Sequence, residues 1–104
     1  MRILLDQNTP RPLRRHLAAH EVRTAYEMGW QDLSNGLLLA SAEKSFEVLI
    51  TVDKNIRYQQ NLATRGIGIF VLPTNRWPEV RLHVVEVAAA LAAMKPGDYI
   101  ELTW

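Results

Sequence analysis

The stretch Val48-Leu49-Ile50-Thr51-Val52-Asp53 predicts a buried β-strand that ends in an acid, and Ile3-Leu4-Leu5-Asp6 repeats this pattern near the start of the chain. Continuous apolar runs of this kind are typical of parallel strands that are covered on both faces. Ligands of open α/β sheets bind at the carboxyl ends of the strands, so two carboxylates at one edge indicate a site. Each aspartate could instead open the following loop or cap a helix, because its oxygen atoms accept backbone N–H bonds.

The composition predicts a single domain over residues 1–104 and excludes several kinds of site. A chain of 104 residues buries roughly 60 to 65% of its unfolded surface around one core. Twelve basic and 11 acidic residues give a net charge of +1, so any basic surface for nucleic acid must be local. The absence of cysteine excludes disulfides and thiolate metal sites. Because the chain has neither a signal-peptide pattern nor a run of membrane-span length, we expect a cytoplasmic protein without a membrane partner.

Strand-like and helix-like patterns alternate along the chain, which predicts an α/β fold with a mainly parallel central sheet and helices on both faces. The predicted strands are residues 3–5, 21–25, 47–52, 66–72 and 99–104. The predicted helices are residues 10–19, with Thr9 as N-cap, residues 37–45 and residues 78–95. Residues 54–61 form a polar stretch after the third strand.

The helix predicted over residues 78–95 has more apolar surface than one stripe. It begins at Pro78 and ends before Pro96 and Gly97, which is a conventional start and stop. Its valines, leucines and alanines extend over two sides, so the helix needs cover on both. We expect a homodimer that uses part of this surface; packing against the C-terminal strand and its neighbours is the alternative.

Five short motifs occur in a fixed order and together cover roughly residues 2–72. They are Leu4-Leu5-Asp6-Gln7-Asn8-Thr9-Pro10, His20-Glu21-Val22, Gly29-Trp30 with Leu33-Ser34-Asn35-Gly36-Leu37-Leu38, Leu49-Ile50-Thr51-Val52-Asp53, and Gln59-Gln60-Asn61-Leu62. As an ordered set they resemble a bacterial PIN-like family of small stand-alone proteins related to the VapC ribonuclease toxins.

The resemblance implies a three-layer α/β/α sandwich of PIN type, in which clustered acids bind Mg²⁺ or Mn²⁺ and hydrolyse an RNA phosphodiester. Asp6 and Asp53 match the first and third acidic positions of the PIN pattern, so they are predicted to be the catalytic residues and the metal ligands. Magnesium prefers hard oxygen ligands and is often held by one or two carboxylates plus a substrate phosphate. The resemblance also implies RNA as the substrate and a small antitoxin protein as a partner.

The chain departs from the family pattern at three acidic positions. Where the family usually reads Asp-Glu-Asn after the first strand, this chain has Gln7 in the middle; where it usually reads Asp-Gly-Glu-Leu-Leu, this chain has Asn35 and Leu37. An amide oxygen can bind a metal but brings no charge, and leucine cannot bind one, so we expect weak binding of the cation. Gln7, Asn35 and Asn55 form a secondary set of candidate site residues. Three acids elsewhere are alternative ligands that the spacing does not distinguish: Glu27, Asp32 and Glu43.

Basic and amide side chains follow each aspartate and are candidates for RNA binding. These are Arg11, Arg14, Arg15, Lys54, Arg57, Gln59, Gln60 and Asn61. Amides suit base edges and sugar hydroxyls, and Trp30 or Tyr58 could stack on an unpaired base. The alternatives are that the arginines form the solvated face of a helix and that Trp30 belongs to the core.

Three classes of function are compatible with these residues. The first and favoured class is a metal-dependent ribonuclease of the toxin–antitoxin kind. The second, ranked close behind, is a catalytically inactive PIN-like module that binds RNA or a partner protein. The third is a receiver-like phosphoacceptor at Asp53, against which the chain has no lysine after a fifth strand to steady a phosphoryl oxygen.

Overall fold

The computed structural model describes residues 1–59 and 65–104, and within them five strands form one sheet in which every neighbouring pair is parallel. The strands are β1 (Arg2–Leu5), β2 (Glu21–Thr24), β3 (Val48–Thr51), β4 (Gly68–Val71) and β5 (Tyr99–Glu101). Their order across the sheet is β2-β1-β3-β4-β5. All five strands occur where the sequence predicts them, although β5 is shorter than the predicted residues 99–104.

The helices connect successive strands. They are α1 (Asn35–Ala42), α2 (Ile56–Gln59), α3 (Trp77–Val80) and α4 (Val84–Ala92), with 3₁₀ helices at Arg11–His16 and Arg81–His83. Because parallel strands cannot be joined by a tight hairpin, each connection crosses a face of the sheet before the next strand begins.

The first helix differs in type from the prediction. An α-helix over residues 10–19 was predicted, and this was wrong: the structure has the 3₁₀ helix Arg11–His16. Pro12 removes one backbone N–H donor, and the bonds at both ends of the segment span three residues, as in a 3₁₀ helix. Thr9 does not cap this helix, because its hydroxyl donates to the Ile50 carbonyl oxygen at 3.1 Å.

Two further segments differ from the prediction. The polar stretch at residues 54–61 contains α2, whose Ile56 is fully buried and anchors the helix. The long helix predicted over residues 78–95 is interrupted by the 3₁₀ turn Arg81–His83. At His83 the backbone leaves the α region, with φ −122° and ψ 19°, so the α3 and α4 segments are separate helices.

Separate hydrophobic clusters cover the two faces of the sheet. One cluster packs the sheet against the Arg11–His16 helix, α3 and α4, and its largest fully buried members include Ile3, Leu5, Leu13, Ile50, Phe70 and Leu91. The other packs the sheet against α1 and α2, and its members include Leu4, Leu39, Leu49, Ile56 and Ile69. Successive strand residues alternate between the two clusters because strand side chains point to opposite faces. The predicted α/β class with a parallel sheet is confirmed.

One side of α4 is apolar and exposed. Val87 and Leu91 are fully buried against the sheet, whereas Leu82 is 74% and Val85 79% exposed. Two alanines continue the exposed side at helical spacing: Ala89 and Ala92. In the part of the chain that the structure describes, no helix has the length and apolar character needed to cross a membrane.

The strand order positions a crevice at the carboxyl edge between β1 and β3. The chain leaves β1 toward β2 on one side and leaves β3 toward β4 on the other, so the two connections diverge. In open parallel sheets ligands bind at such a switch point, outside the carboxyl ends of the strands.

Candidate functional site

Asp6 lies at the switch point, immediately after β1. Its backbone N–H donates to the Ile50 carbonyl oxygen at 2.9 Å, which extends the β1–β3 pairing by one residue and fixes the position of the side chain. The carboxylate accepts two hydrogen bonds: Oδ1 from the Gln7 backbone N–H at 2.8 Å, and Oδ2 from the Thr51 hydroxyl at 2.9 Å.

The hydroxyl of Thr51 joins the two aspartates. Thr51 is the last residue of β3 and is fully buried. Its Oγ1 donates to Asp6 Oδ2 and accepts from the Asp53 backbone N–H at 3.1 Å. Asp6 and Asp53 therefore lie at the same edge of the sheet, as the sequence pattern predicts. The sequence reasoning missed Thr51, although a hydroxyl two residues before an acid at the end of a strand was an available signal.

Asp53 has a separate partner for each carboxylate oxygen. Oδ2 accepts from the Asn35 side-chain Nδ2 at 2.8 Å, and Oδ1 accepts from the Asn55 backbone N–H at 2.9 Å. The second bond organises the turn that leads into α2. Oδ1 therefore shapes the following loop, which is the alternative considered from the sequence, while Oδ2 contacts the side chain of Asn35.

The secondary set predicted from the sequence divides into two groups. Asn35 is the first residue of α1, positioned by Ser34, whose hydroxyl accepts from the Leu37 N–H at 3.5 Å. Its side chain reaches Asp53 directly. Gln7 and Asn55 contact the aspartates through backbone N–H groups, and both residues are exposed. We call Asp6, Asp53, Thr51 and Asn35 the acidic cluster.

The alternative acidic ligands are engaged elsewhere or exposed. Glu27 pairs with Arg14, Glu43 pairs with Arg65 at 3.2 Å, and Asp32 is exposed. Within residues 1–59 and 65–104, no group of three or more His, Cys, Asp or Glu side chains could hold a metal ion. The carboxylates at the acidic cluster are therefore the two predicted from the sequence, supplemented by neutral oxygen and amide groups.

Arginines of the 3₁₀ helix Arg11–His16 lie beside the carboxyl end of β2. The Arg11 guanidinium carbon lies 5.2 Å from the centre of the Tyr26 ring, and Arg14 forms an ion pair with Glu27. Together with Arg15 they line a cavity of about 340 Å³. The sequence reasoning missed Tyr26 and Glu27 as members of this cavity.

The basic residues after Asp53 are placed differently. Lys54 is exposed, and the Arg57 guanidinium carbon lies 4.9 Å from the ring centre of Tyr58 and 5.4 Å from that of Tyr99. Burial, together with the charge of Glu101, raises the pKa of the Tyr99 hydroxyl, while the Arg57 charge opposes this rise. Arg57 thus lies against two aromatic rings, one of them in β5, which is at the other side of the sheet from β2 and its cavity.

The remaining candidates for RNA binding are three amide residues and Trp30. Gln59 ends α2, and Gln60 and Asn61 lie outside the described residues. Trp30 packs edge-on against Phe46, with ring centres 6.1 Å apart, and contacts the core cluster beneath α1. Trp30 therefore packs against the core, which is the alternative to base stacking that was considered from the sequence.

The chain matches no protein-family model, no curated protein and no solved structure. Membership of a PIN-like family and the roles of the two aspartates therefore rest on the sequence motifs and on the geometry of the site.

The link through Thr51 predicts a measurable loss of stability. Thr51→Val keeps the shape of the side chain but removes the partner of Asp6 Oδ2 and of the Asp53 N–H. We expect the free energy of unfolding, measured by urea denaturation, to fall by about 1–3 kcal/mol. The exposed Thr103→Val is the matched control and should change it by less than about 0.5 kcal/mol. Equal, small effects would show that the hydroxyl does not join the two residues.

Proposed function

We propose that the protein is a PIN-like, metal-dependent ribonuclease of the toxin–antitoxin kind, with Asp6 and Asp53 as metal ligands and catalytic residues. The observation that supports the proposal is the bridge through Thr51, which links the Asp6 carboxylate to the Asp53 backbone N–H, so that both aspartates lie at the switch point of the sheet. The ordered motifs of residues 2–72 resemble those of the PIN-like family, and this resemblance implies RNA hydrolysis and a three-layer α/β/α sandwich.

The donor set of the acidic cluster suits a hard divalent cation. Two carboxylates and the amide of Asn35 supply oxygen ligands, and Mg²⁺ is often held by one or two carboxylates plus substrate phosphate. When bound, Mg²⁺ or Mn²⁺ would acidify a water and neutralise charge on the phosphodiester. Asp6 and Asp53 are the residues that would hold the ion.

The chain's own groups would keep the two acids oriented. Thr51 holds Asp6 Oδ2, and the backbone N–H groups of Gln7 and Asn55 each hold one Oδ1. A carboxylate has about four acceptor positions on its two oxygens, so these bonds leave acceptor positions on both aspartates. The arginines beside β2 would attract the phosphate groups of a strand that approaches this edge.

A catalytically inactive module that binds RNA or a partner protein is the second candidate, and one contact favours it. Asn35 Nδ2 donates to Asp53 Oδ2 at 2.8 Å. An aspartate at position 35 would repel Asp53 unless a cation lay between them, whereas the neutral amide of Asn35 stabilises Asp53 without a cation. For the receiver-like alternative, β5 is followed by Leu102, Thr103 and Trp104. None of these side chains carries the positive charge that would steady a phosphoryl oxygen.

Loss of either aspartate should weaken Mn²⁺ binding and abolish cleavage. Calorimetric titration of the protein with Mn²⁺ should give weak binding, and Asp6→Asn or Asp53→Asn should weaken it by at least about tenfold, because a charged ligand is lost. Cleavage of single-stranded RNA in Mn²⁺ should be slow and should disappear in both variants. Asp32→Asn, which removes an exposed acid, is the charge-matched control. Full cleavage in EDTA, or in the double aspartate variant, would contradict the proposal.

An acid in place of Asn35 should destabilise the free protein and tighten Mn²⁺ binding. Asn35→Asp replaces the group that donates to Asp53 by one that repels it, so the free protein should lose roughly 1 kcal/mol of stability. The added charge should tighten Mn²⁺ binding by about tenfold and enlarge the rise in Tm that Mn²⁺ produces. Asn75→Asp adds the same charge to an exposed loop after β4 and should show neither effect. Equal Mn²⁺ affinity in both variants would place the cation away from Asn35.

We also propose that the exposed apolar side of α4 forms the interface of a homodimer. Val85 lies on this side, exposed Leu82 lies in the 3₁₀ turn just before α4, and two copies of this surface can pack on each other about a two-fold axis. Light scattering at micromolar concentration should give twice the 11.9 kDa of one chain. Val85→Glu should give monomers, whereas Leu37→Glu, on the exposed side of α1, should not. A monomeric wild-type protein would rule the dimer out. A small antitoxin partner is proposed from the family resemblance, and a cytoplasmic location from the sequence pattern alone.

A further inference from the structure

The cavity beside β2 is separate from the acidic cluster and is built from two segments of the chain. The 3₁₀ helix Arg11–His16 supplies Arg11, Arg14 and Arg15, and the turn after β2 supplies Tyr26 and Glu27. Its volume of about 340 Å³ falls within the usual range of small-ligand sites, roughly 300–1,000 Å³.

The cavity carries an excess of positive charge. The Glu27 carboxylate accepts from the Thr24 backbone N–H at 2.9 Å and pairs with Arg14, while the Glu27 N–H donates to Thr24 Oγ1 at 3.1 Å. These reciprocal bonds fix Glu27 and commit it to a single guanidinium. Within the described residues, Arg11 and Arg15 have no carboxylate within ion-pair distance. Two guanidinium groups are therefore available to an anion.

An aromatic ring lies beside these charges. Tyr26 is 60% exposed, and the Arg11 guanidinium carbon lies 5.2 Å from its ring centre. The contact holds the Arg11 head group beside the ring, and the exposure leaves ring surface open to a planar ligand. Guanidinium groups match the geometry of phosphate oxygens, and aromatic side chains stack on nucleobases.

The cavity opens at the same edge of the sheet as the acidic cluster. Thr24, which lines the cavity, pairs in register with Leu5, and the Ala25 N–H donates to the Leu5 carbonyl oxygen at 2.8 Å. Asp6 is the next residue after Leu5. Neighbouring strands lie about 4.8 Å apart, so a single strand of nucleic acid held at Tyr26 would continue toward Asp6.

We propose that this cavity binds one nucleotide of single-stranded RNA, with its phosphate on Arg11 and Arg15 and its base against the ring of Tyr26. The inference rests on the proposed function for the choice of RNA as the polymer and for the adjacent cleavage site. The charge, the ring and the volume belong to the cavity itself and do not depend on a metal at Asp6 and Asp53.

Fluorescence anisotropy of an end-labelled single-stranded RNA of about ten nucleotides, titrated with the protein in EDTA at several salt concentrations, tests the proposal. Tyr26→Ala should weaken binding by about fivefold or more, because stacking on the base is lost. Tyr26→Phe should bind like the wild type. Arg15→Ala should weaken binding and reduce the slope of log K against log salt by about 0.7, the value for one phosphate contact on a single strand.

One substitution in the cavity should tighten RNA binding instead of weakening it. Glu27→Gln keeps an oxygen that can accept from the Thr24 N–H but removes the charge that neutralises Arg14, so it should tighten RNA binding by several-fold. Lys44 is exposed and lies between α1 and the start of β3, near the amino ends of the strands and far from the cavity. Lys44→Ala should therefore change neither the RNA affinity nor the slope of log K against log salt. Circular dichroism of each variant verifies that these exposed substitutions leave the fold intact.

Unchanged binding in Tyr26→Ala and Arg15→Ala, or an equal loss in Lys44→Ala, would overturn the proposal. Because the assay contains EDTA, its outcome is independent of metal binding at Asp6 and Asp53. Mn²⁺-dependent cleavage that survives with wild-type KM in Tyr26→Ala would overturn the cavity assignment and leave the ribonuclease proposal standing. RNA binding that depends on Tyr26 and Arg15 in a protein without cleavage would support the cavity and remove the ribonuclease proposal.

Discussion

The parallel pairing of β1 with β3 is the constraint on which the site depends. Leu5 and Ile50 are register partners, and the Asp6 N–H continues the pairing by donating to the Ile50 carbonyl oxygen. Because the strands run in the same direction, both leave the sheet at one edge, and the Thr51 hydroxyl comes within reach of Asp6 and Asp53. A shift in register by one residue would turn Thr51 to the other face and separate the two acids.

Two surfaces of opposite charge lie side by side at this edge. The acidic cluster concentrates two carboxylates, whose oxygens are partly satisfied by neutral donors from Thr51, Asn35 and backbone N–H groups. The cavity beside β2 concentrates arginines, of which Glu27 neutralises one. With a net charge of +1 over the chain, attraction for a polyanion has to come from such local separation rather than from the global charge.

The strand assignment could be read from the sequence because local patterns determine it. Continuous apolar runs predict buried parallel strands, and an acid directly after such a run must lie at the carboxyl edge, so Asp6 and Asp53 could be named in advance. The excess apolar surface predicted over residues 78–95 is likewise present, with Val87 buried and Val85 exposed on opposite sides of α4.

Other features arose only from tertiary structure, because they join residues that are distant in sequence. The bridge from Thr51 to Asp6 and the bond from Asn35 to Asp53 span 45 and 18 residues, and no local pattern reports them. The Asn35 amide donates its Nδ2 hydrogen to Asp53 because a carboxylate, which can only accept, stands opposite it. The 3₁₀ helix Arg11–His16 replaced the predicted α-helix, and its packing beside β2 created the arginine cavity. Local periodicity therefore determined the strands, while packing decided which polar groups meet.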